Sequence, residues 1–212
     1  MESNPLASTR DPGVRFAVSM LLVLLLPGIA TAQAENRIGI YTTAAAGGTS
    51  QVAAPFTPFD AYFVLTTPRT AAGDVVTACD GFEFRVFVWP CLLSRLSDTT
   101  NPDWSNTEDA TDPCTARYRV NGPTPVPVNA DMLVLQVWHL MVWSAGEQMF
   151  YVAPLENPTV PGRMAYFHPG TSGSVAEGAM AVSGSFDSPV YAVNWSEPVE
   201  GRSFGAVKAL YR

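Results

Sequence analysis

The chain has 212 residues, of which 19 are acidic and 12 basic, giving a formal net charge of −7, and 47 % of them are hydrophobic. An acidic chain with a single lysine, Lys208, excludes the broad basic surface that nucleic acid or an anionic membrane requires. Its two histidines and three cysteines show no paired-His or Cys-x-x-Cys spacing, which argues against a zinc site.

Residues 1–15 are polar and carry Arg10 and Arg15, residues 16–26 form an apolar run, and Ala30-Thr31-Ala32-Gln33-Ala34 offers small-x-small sites. Basic, then apolar, then small is the order of a secretory signal peptide. The apolar run is too short for a bilayer, which needs about 20 such residues. We expect a signal peptide over 1–34 cleaved after Ala34, with Ala32 as the alternative site and an uncleaved anchor as the competing reading. The mature chain, residues 35–212, would be exported to the periplasm, the cell surface or the medium, with no membrane span. Its length suits one domain with its own core.

Residues 37–43 and 59–66 alternate as strands. Residues 80–89 (DGFEFRVFVW) alternate most clearly, with Phe82, Phe84, Val86 and Val88 on one side and Glu83 and Arg85 on the other as a solvated pair. Residues 92–113 form a long acidic loop carrying one exposed aromatic, Trp104. Residues 115–121 are a strand, and the proline-punctuated 122–128 is an edge or linker. Residues 131–152 (DMLVLQVWHLMVWSAGEQMFYV) predict the centre of the fold: a strand buried on both faces, a turn at Ser144-Ala145-Gly146, and a returning partner strand. Short strands follow at 163–168, 179–186 and 190–195, with a Gly/Ser turn region at 171–178. At 203–212, Phe204, Val207 and Leu210 have helical spacing, so a short helix is expected there, with a last strand as the alternative. Together these describe an all-β, two-sheet β-sandwich of mainly antiparallel strands.

Disulfides form in exported chains. Cys79 and Cys91 lie at opposite ends of the 80–89 strand, too far apart to join. Pairing of 80–89 with 115–121 would bring Cys91 beside Cys114, so we expect a Cys91–Cys114 disulfide and a free, buried Cys79.

Candidates for chemistry are few. His139 reads as a core histidine and His168 as a turn residue. No serine sits in a strand-to-helix elbow. Asp60, Asp80, Glu83 and Asp131 are the carboxylates that could pair for glycoside hydrolysis, and nothing in the sequence makes them converge. Asp98, Asp103, Glu108, Asp109 and Asp112 crowd the acidic loop, where Ca²⁺ is the alternative to a solvated loop, although the spacing fits no calcium-binding motif. Trp104 is the candidate ligand-binding aromatic, as a platform for sugar rings.

PFTPFDAY, CDGFEFRV, PGRMAY and SFGAVKALYR are similar to segments of secreted proteins of environmental bacteria that carry no assigned activity. The resemblance implies export and an all-β domain, and brings no site with it. The sequence thus leads to a non-catalytic exported interaction or structural module without cofactor or metal, partnered by a glycan or another surface protein. A carbohydrate-binding module, a glycosidase and a surface protein self-assembling through exposed strand edges, with Cys79 as a link between chains, are the alternatives.

Overall fold

A computed structural model describes residues 34–195. The helix expected at 203–212 lies outside the described residues, as does the signal peptide except for Ala34. Among the described residues there is no helix. They form twelve strands: β1 (Arg37–Tyr41), β2 (Ser50–Gln51), β3 (Pro58–Thr66), β4 (Ala78–Trp89), β5 (Leu93–Thr99), β6 (Ser105–Asn106), β7 (Thr115–Pro127), β8 (Met132–Val142), β9 (Gln148–Ala153), β10 (Met164–Gly170), β11 (Gly173–Ala181) and β12 (Tyr191–Val193). The strands run in the order β2-β12-β9-β4-β10-β11-β1-β3-β8-β5, with β7 alongside β4 and β6 alongside β7. The protein is therefore all-β. The sheet is mixed, because β1 runs parallel to β11 and β12 parallel to β2.

The hub is β4. The alternation of its sequence is obeyed: Phe82, Phe84 and Val86 are fully buried. One edge of β4 carries β7 along most of its length. The other edge is shared, first by β10 at Gly81 to Glu83 and then by β9 at Arg85 to Trp89. A sheet this wide curls rather than lying flat. Phe63 of β3 stacks on Phe84 of β4 at 5.6 Å, although three strands separate them in the sheet order. Trp138 of β8 meets Phe63 at 5.0 Å and Tyr118 of β7 at 6.4 Å. Inner faces from opposite ends of the sheet order thus share one core.

Three expectations are corrected by the pairing. First, β8 and β9 are not partners. β8 lies between β3 and β5, and β9 between β4 and β12. Long ladders occupy both edges of β8, so the 144–146 turn hands the chain on to another part of the sheet. Second, β8 is not buried on both faces. Leu133 and Leu135 point inward, then the pairing with β3 slips between Phe63 and Val64, and Trp138, Leu140 and Val142 point inward with the opposite parity. A bulge of this kind converts an alternating strand into an apparently continuous apolar run. Third, the acidic loop at 92–113 contains β5 and β6. Leu93 is buried and pairs with Val142, but Leu96 to Thr99 are exposed on an edge strand, so the composition looked like loop.

The expected Cys91–Cys114 disulfide is present, with Cα atoms 5.8 Å apart. β4 and β7 pair as anticipated, with Phe87 opposite Thr115, which brings the two cysteines together. Cys79 is free and buried, and burial, helped by the charge of Asp80, pushes its thiol up to about 12.

Replacing Cys91 and Cys114 by serine should lower the unfolding free energy in urea by about 3 kcal/mol, since the bond closes a 23-residue separation. Alkaline pH should also destabilise the protein. Burial raises the pKa of Tyr41, Tyr118, Tyr166 and Tyr191 above the ordinary value of 10.0. The unfolded chain sheds these protons first, so their stabilisation is complete below about pH 10 and is lost as pH climbs through the folded values. Urea midpoints measured across that range should fall, with tyrosinate absorbance at 295 nm appearing together with unfolding.

Candidate interaction face

The outward residues of β8 are Val137, His139 and Met141, because the slip in its pairing with β3 puts Trp138, Leu140 and Val142 inside. Across the ladders, Tyr62 of β3 and Thr99 of β5 flank Val137, Asp60 and Ser97 flank His139, and Pro58 and Ser94 flank Met141. Directly opposed residues of antiparallel strands share a face. The sheet therefore presents three cross-strand rows: Tyr62–Val137–Thr99, Asp60–His139–Ser97 and Pro58–Met141–Ser94.

The middle row carries the charge. His139 Nδ1 lies 2.7 Å from Asp60 Oδ1, and the Tyr62 hydroxyl donates to Asp60 Oδ2 at 3.3 Å. Burial and then the Asp60 carboxylate push the Tyr62 hydroxyl above its ordinary pKa. The Asp60–His139 contact fixes the imidazole ring through one nitrogen and keeps the other clear of the carboxylate. Ser97, His139 and Asp60 are the residue types of a nucleophilic triad. The side chains of His139 and Asp60 are 44 % and 43 % exposed, so water screens the pair. His139 is thus neither a core histidine nor enclosed. Asp60 and His139 are 79 residues apart and meet only through the β3–β8 register, so no local pattern could have joined them.

The other candidate carboxylates are each taken up elsewhere. Glu83 is fully buried and does not pair with Arg85. It accepts from Arg119 Nε at 2.9 Å and from the Thr159 backbone N–H and hydroxyl at 2.8 Å each. Those bonds satisfy a charge that would otherwise be costly to bury. Arg119 also donates to the Asn157 carbonyl and pairs with Glu108 at 3.4 Å. Asp80 accepts from Ser174, and Asp131 pairs with Arg69 at 3.1 Å. Asp60, Asp80, Glu83 and Asp131 are thus each held by a different partner.

The acidic loop disperses in the same way. Asp98 accepts from the Tyr118 hydroxyl, Glu108 pairs with Arg119, Asp109 accepts from Thr111, and Asp112 accepts from the backbone N–H groups of Cys114 and Thr115. The backbone N–H of Asp103 donates to Asn101 Oδ1 at 3.0 Å. Bonds from Thr111 hold the Asp109 carboxyl below its usual range. Among the described residues no group of three or more His, Cys, Asp or Glu is placed to hold a metal ion. Trp104 is corrected too: it is 6 % exposed, its indole N–H donates to the Thr124 carbonyl at 3.0 Å, and its ring packs 6.0 Å from Phe82. A side chain on residue 122 would collide with that ring, so Gly122 is what lets Trp104 turn inward. Among polar, proline-rich neighbours, nothing local signals that packing.

Beneath the face lies a buried polar junction that the sequence did not reveal. The Tyr118 hydroxyl receives the Trp138 indole N–H at 2.7 Å and Arg95 Nη1 at 3.0 Å, and donates to Asp98 Oδ2 at 3.0 Å. The Arg95 guanidinium also sits 4.8 Å from the Trp138 ring centroid, a cation–π distance. Edge strand β5 is thereby tied to β7 and β8.

No protein-family model matches the chain, and no curated protein matches it. Among solved structures, the chain is similar to the cohesin module from the Clostridium perfringens ATCC13124 family 33 glycoside hydrolase, with 9 % identity and a TM-score of 0.37 over 69 % of this chain and 97 % of that one. At that score nothing about this chain follows from the likeness.

Tyr118→Phe keeps the ring and removes the shared hydroxyl, leaving Trp138, Arg95 and Asp98 to find other partners. It should cost about 1–3 kcal/mol in urea unfolding. A loss under half a kcal/mol would mean that water replaces the hydroxyl.

Proposed function

We propose that this protein is a non-catalytic β-sandwich interaction module that works outside the cytoplasm and docks a protein partner on the β3–β8–β5 face. The observation that carries the reading is the make-up of that face. An exposed Asp60–His139 pair and the Tyr62 hydroxyl stand beside Val137 and Met141, polar groups able to bond across an interface next to apolar groups to bury. Interfaces are built from such mixtures, with tyrosine and methionine enriched. Dispersal of the other carboxylates onto structural partners supports the absence of catalysis. Two further features support work outside the cytoplasm: the basic–apolar–small order of residues 1–34, and the Cys91–Cys114 disulfide, a bond that persists in oxidising compartments. Among the described residues no helix is long and apolar enough to cross a membrane.

The burial of Trp104 and of Cys79 weighs against the sugar-platform and chain-linking readings.

The row Ser97–His139–Asp60 supplies the decisive test. A fluorophosphonate probe should leave Ser97 unlabelled, and a panel of esters, amides and glycosides should show no turnover. Labelling of Ser97 that disappears in His139→Ala would overturn the non-catalytic reading. For docking, Tyr62→Ala with His139→Ala should weaken the complex with a purified cognate partner by at least about tenfold while leaving the urea midpoint near wild type. An unchanged affinity would move the interface off this face.

A further inference from the structure

Of the eleven residues of β8, only Gln136 and His139 are polar. His139 stands on the outer face, and Gln136 is turned the other way. The slip in the β3 pairing makes Leu135 the extra residue, with Gln136 opposite Phe63 and Val134 opposite Val64. Residues directly opposed across antiparallel strands share a face, so Gln136 joins Phe63 inside. Bulges commonly re-aim a side chain in this way. Gln136 is 2 % exposed, and its Oε1 is buried without a hydrogen-bond partner among the described residues. The other buried glutamine, Gln148, accepts from the Leu92 backbone N–H at 3.1 Å. A buried amide oxygen left unpaired is costly, and a leucine would fill the same place without that cost. The packing of β8 therefore gives no reason for an amide at this position.

A pocket of about 230 Å³ supplies one, because Gln136 forms part of its wall. Trp104 and Val126 line it on one side and the β8 bulge on the other, while Thr99, Thr100 and Asn101 add hydroxyl and amide groups. No charged side chain lines it. The Thr100 hydroxyl donates to the Leu135 carbonyl at 3.1 Å, and the Trp104 backbone N–H to the Asn101 carbonyl at 3.0 Å, so the chain leaving β5 is fixed against the bulge. We propose that this pocket binds one ring of a neutral glycan. An uncharged lining offers no ion pair to an anionic or cationic ligand. Sugar hydroxyls both donate and accept, which matches an amide set among hydroxyls. One of them donating to Gln136 Oε1 would pair the orphaned oxygen, and the C–H face of the ring suits the apolar wall. The volume falls below the roughly 300–1,000 Å³ of pockets that enclose a whole ligand, so one ring enters and the rest of the glycan stays outside. Val137 and Thr99 carry the lining out to the Tyr62–Val137–Thr99 row, where that remainder would lie. Trp104 serves here as a pocket wall rather than an open platform. This inference does not depend on a protein partner docking on the β3–β8–β5 face.

An array of neutral and acidic oligosaccharides probed with the purified full chain tests the proposal, followed by titration of the best neutral binder against the Gln136 side-chain amide signal in NMR. Binding should be saturable, should shift that signal, and should weaken at least about tenfold in Gln136→Leu. The urea midpoint of Gln136→Leu should stay at or above that of the wild type, because an unpaired amide does not hold the fold. A flat array, an affinity unchanged in Gln136→Leu, or binding confined to acidic glycans would each overturn the proposal. A lower midpoint in Gln136→Leu would show that the amide is already satisfied within the fold, by a water molecule for instance, and would overturn it too. A Gln136 signal that shifts only when a partner protein is added would assign the pocket to a side chain of that partner, with the same consequence.

Discussion

The structure depends on one contact set: the aromatic rings that close the sheet onto itself. Phe63 on Phe84, Trp138 on Phe63 and Tyr118 beside both Phe84 and Trp138 join strands that are distant in the sheet order. Each pair contributes about 0.5–1.5 kcal/mol beyond the area it buries, and together the rings fill the space between the two inner faces. They lie in one core with the aliphatic side chains of β3, β8 and β5. The position of Tyr118 at this junction is constrained twice, because its ring belongs to the stack and its hydroxyl binds Trp138, Arg95 and Asp98.

That constraint explains where polarity can be tolerated inside. Arg95 is nearly buried yet has the Tyr118 hydroxyl, the Asp98 carboxylate and the Trp138 ring around it. Glu83 is fully buried and receives three hydrogen bonds. Both charges are paired and hydrogen-bonded, the condition under which a buried charge is tolerable. The consequence for function is that the most strongly held ionisable groups serve the architecture. On the outer face of β3 and β8, by contrast, Asp60 and His139 hold one another and still meet water.

The all-β class, the β4 alternation and the Cys91–Cys114 pairing were legible in the sequence because each rests on local period or strand geometry. Phe82, Phe84 and Val86 could be placed inside by counting by two. The role of β8 is hidden for an equally local reason: the slip near Phe63 and Val64 makes one strand show two parities, and a run of apolar residues conceals it. Trp104 and β5 look like loop because polar neighbours surround them, while their packing comes from residues elsewhere in the chain, Phe82 and Gly122 for the tryptophan and Val142 for Leu93.

Sequence alone determined which residues are apolar, how they alternate, and which cysteines strand geometry allows to meet, since these properties belong to short stretches of chain. Only the tertiary structure decided that β8 sits between β3 and β5, that Asp60 faces His139, and that Gln136 turns inward opposite Phe63. The physical reason is that these outcomes are matters of register between distant strands. A shift of one residue in any of those ladders exchanges the buried face for the exposed one, and nothing within a single strand records which register its neighbours impose.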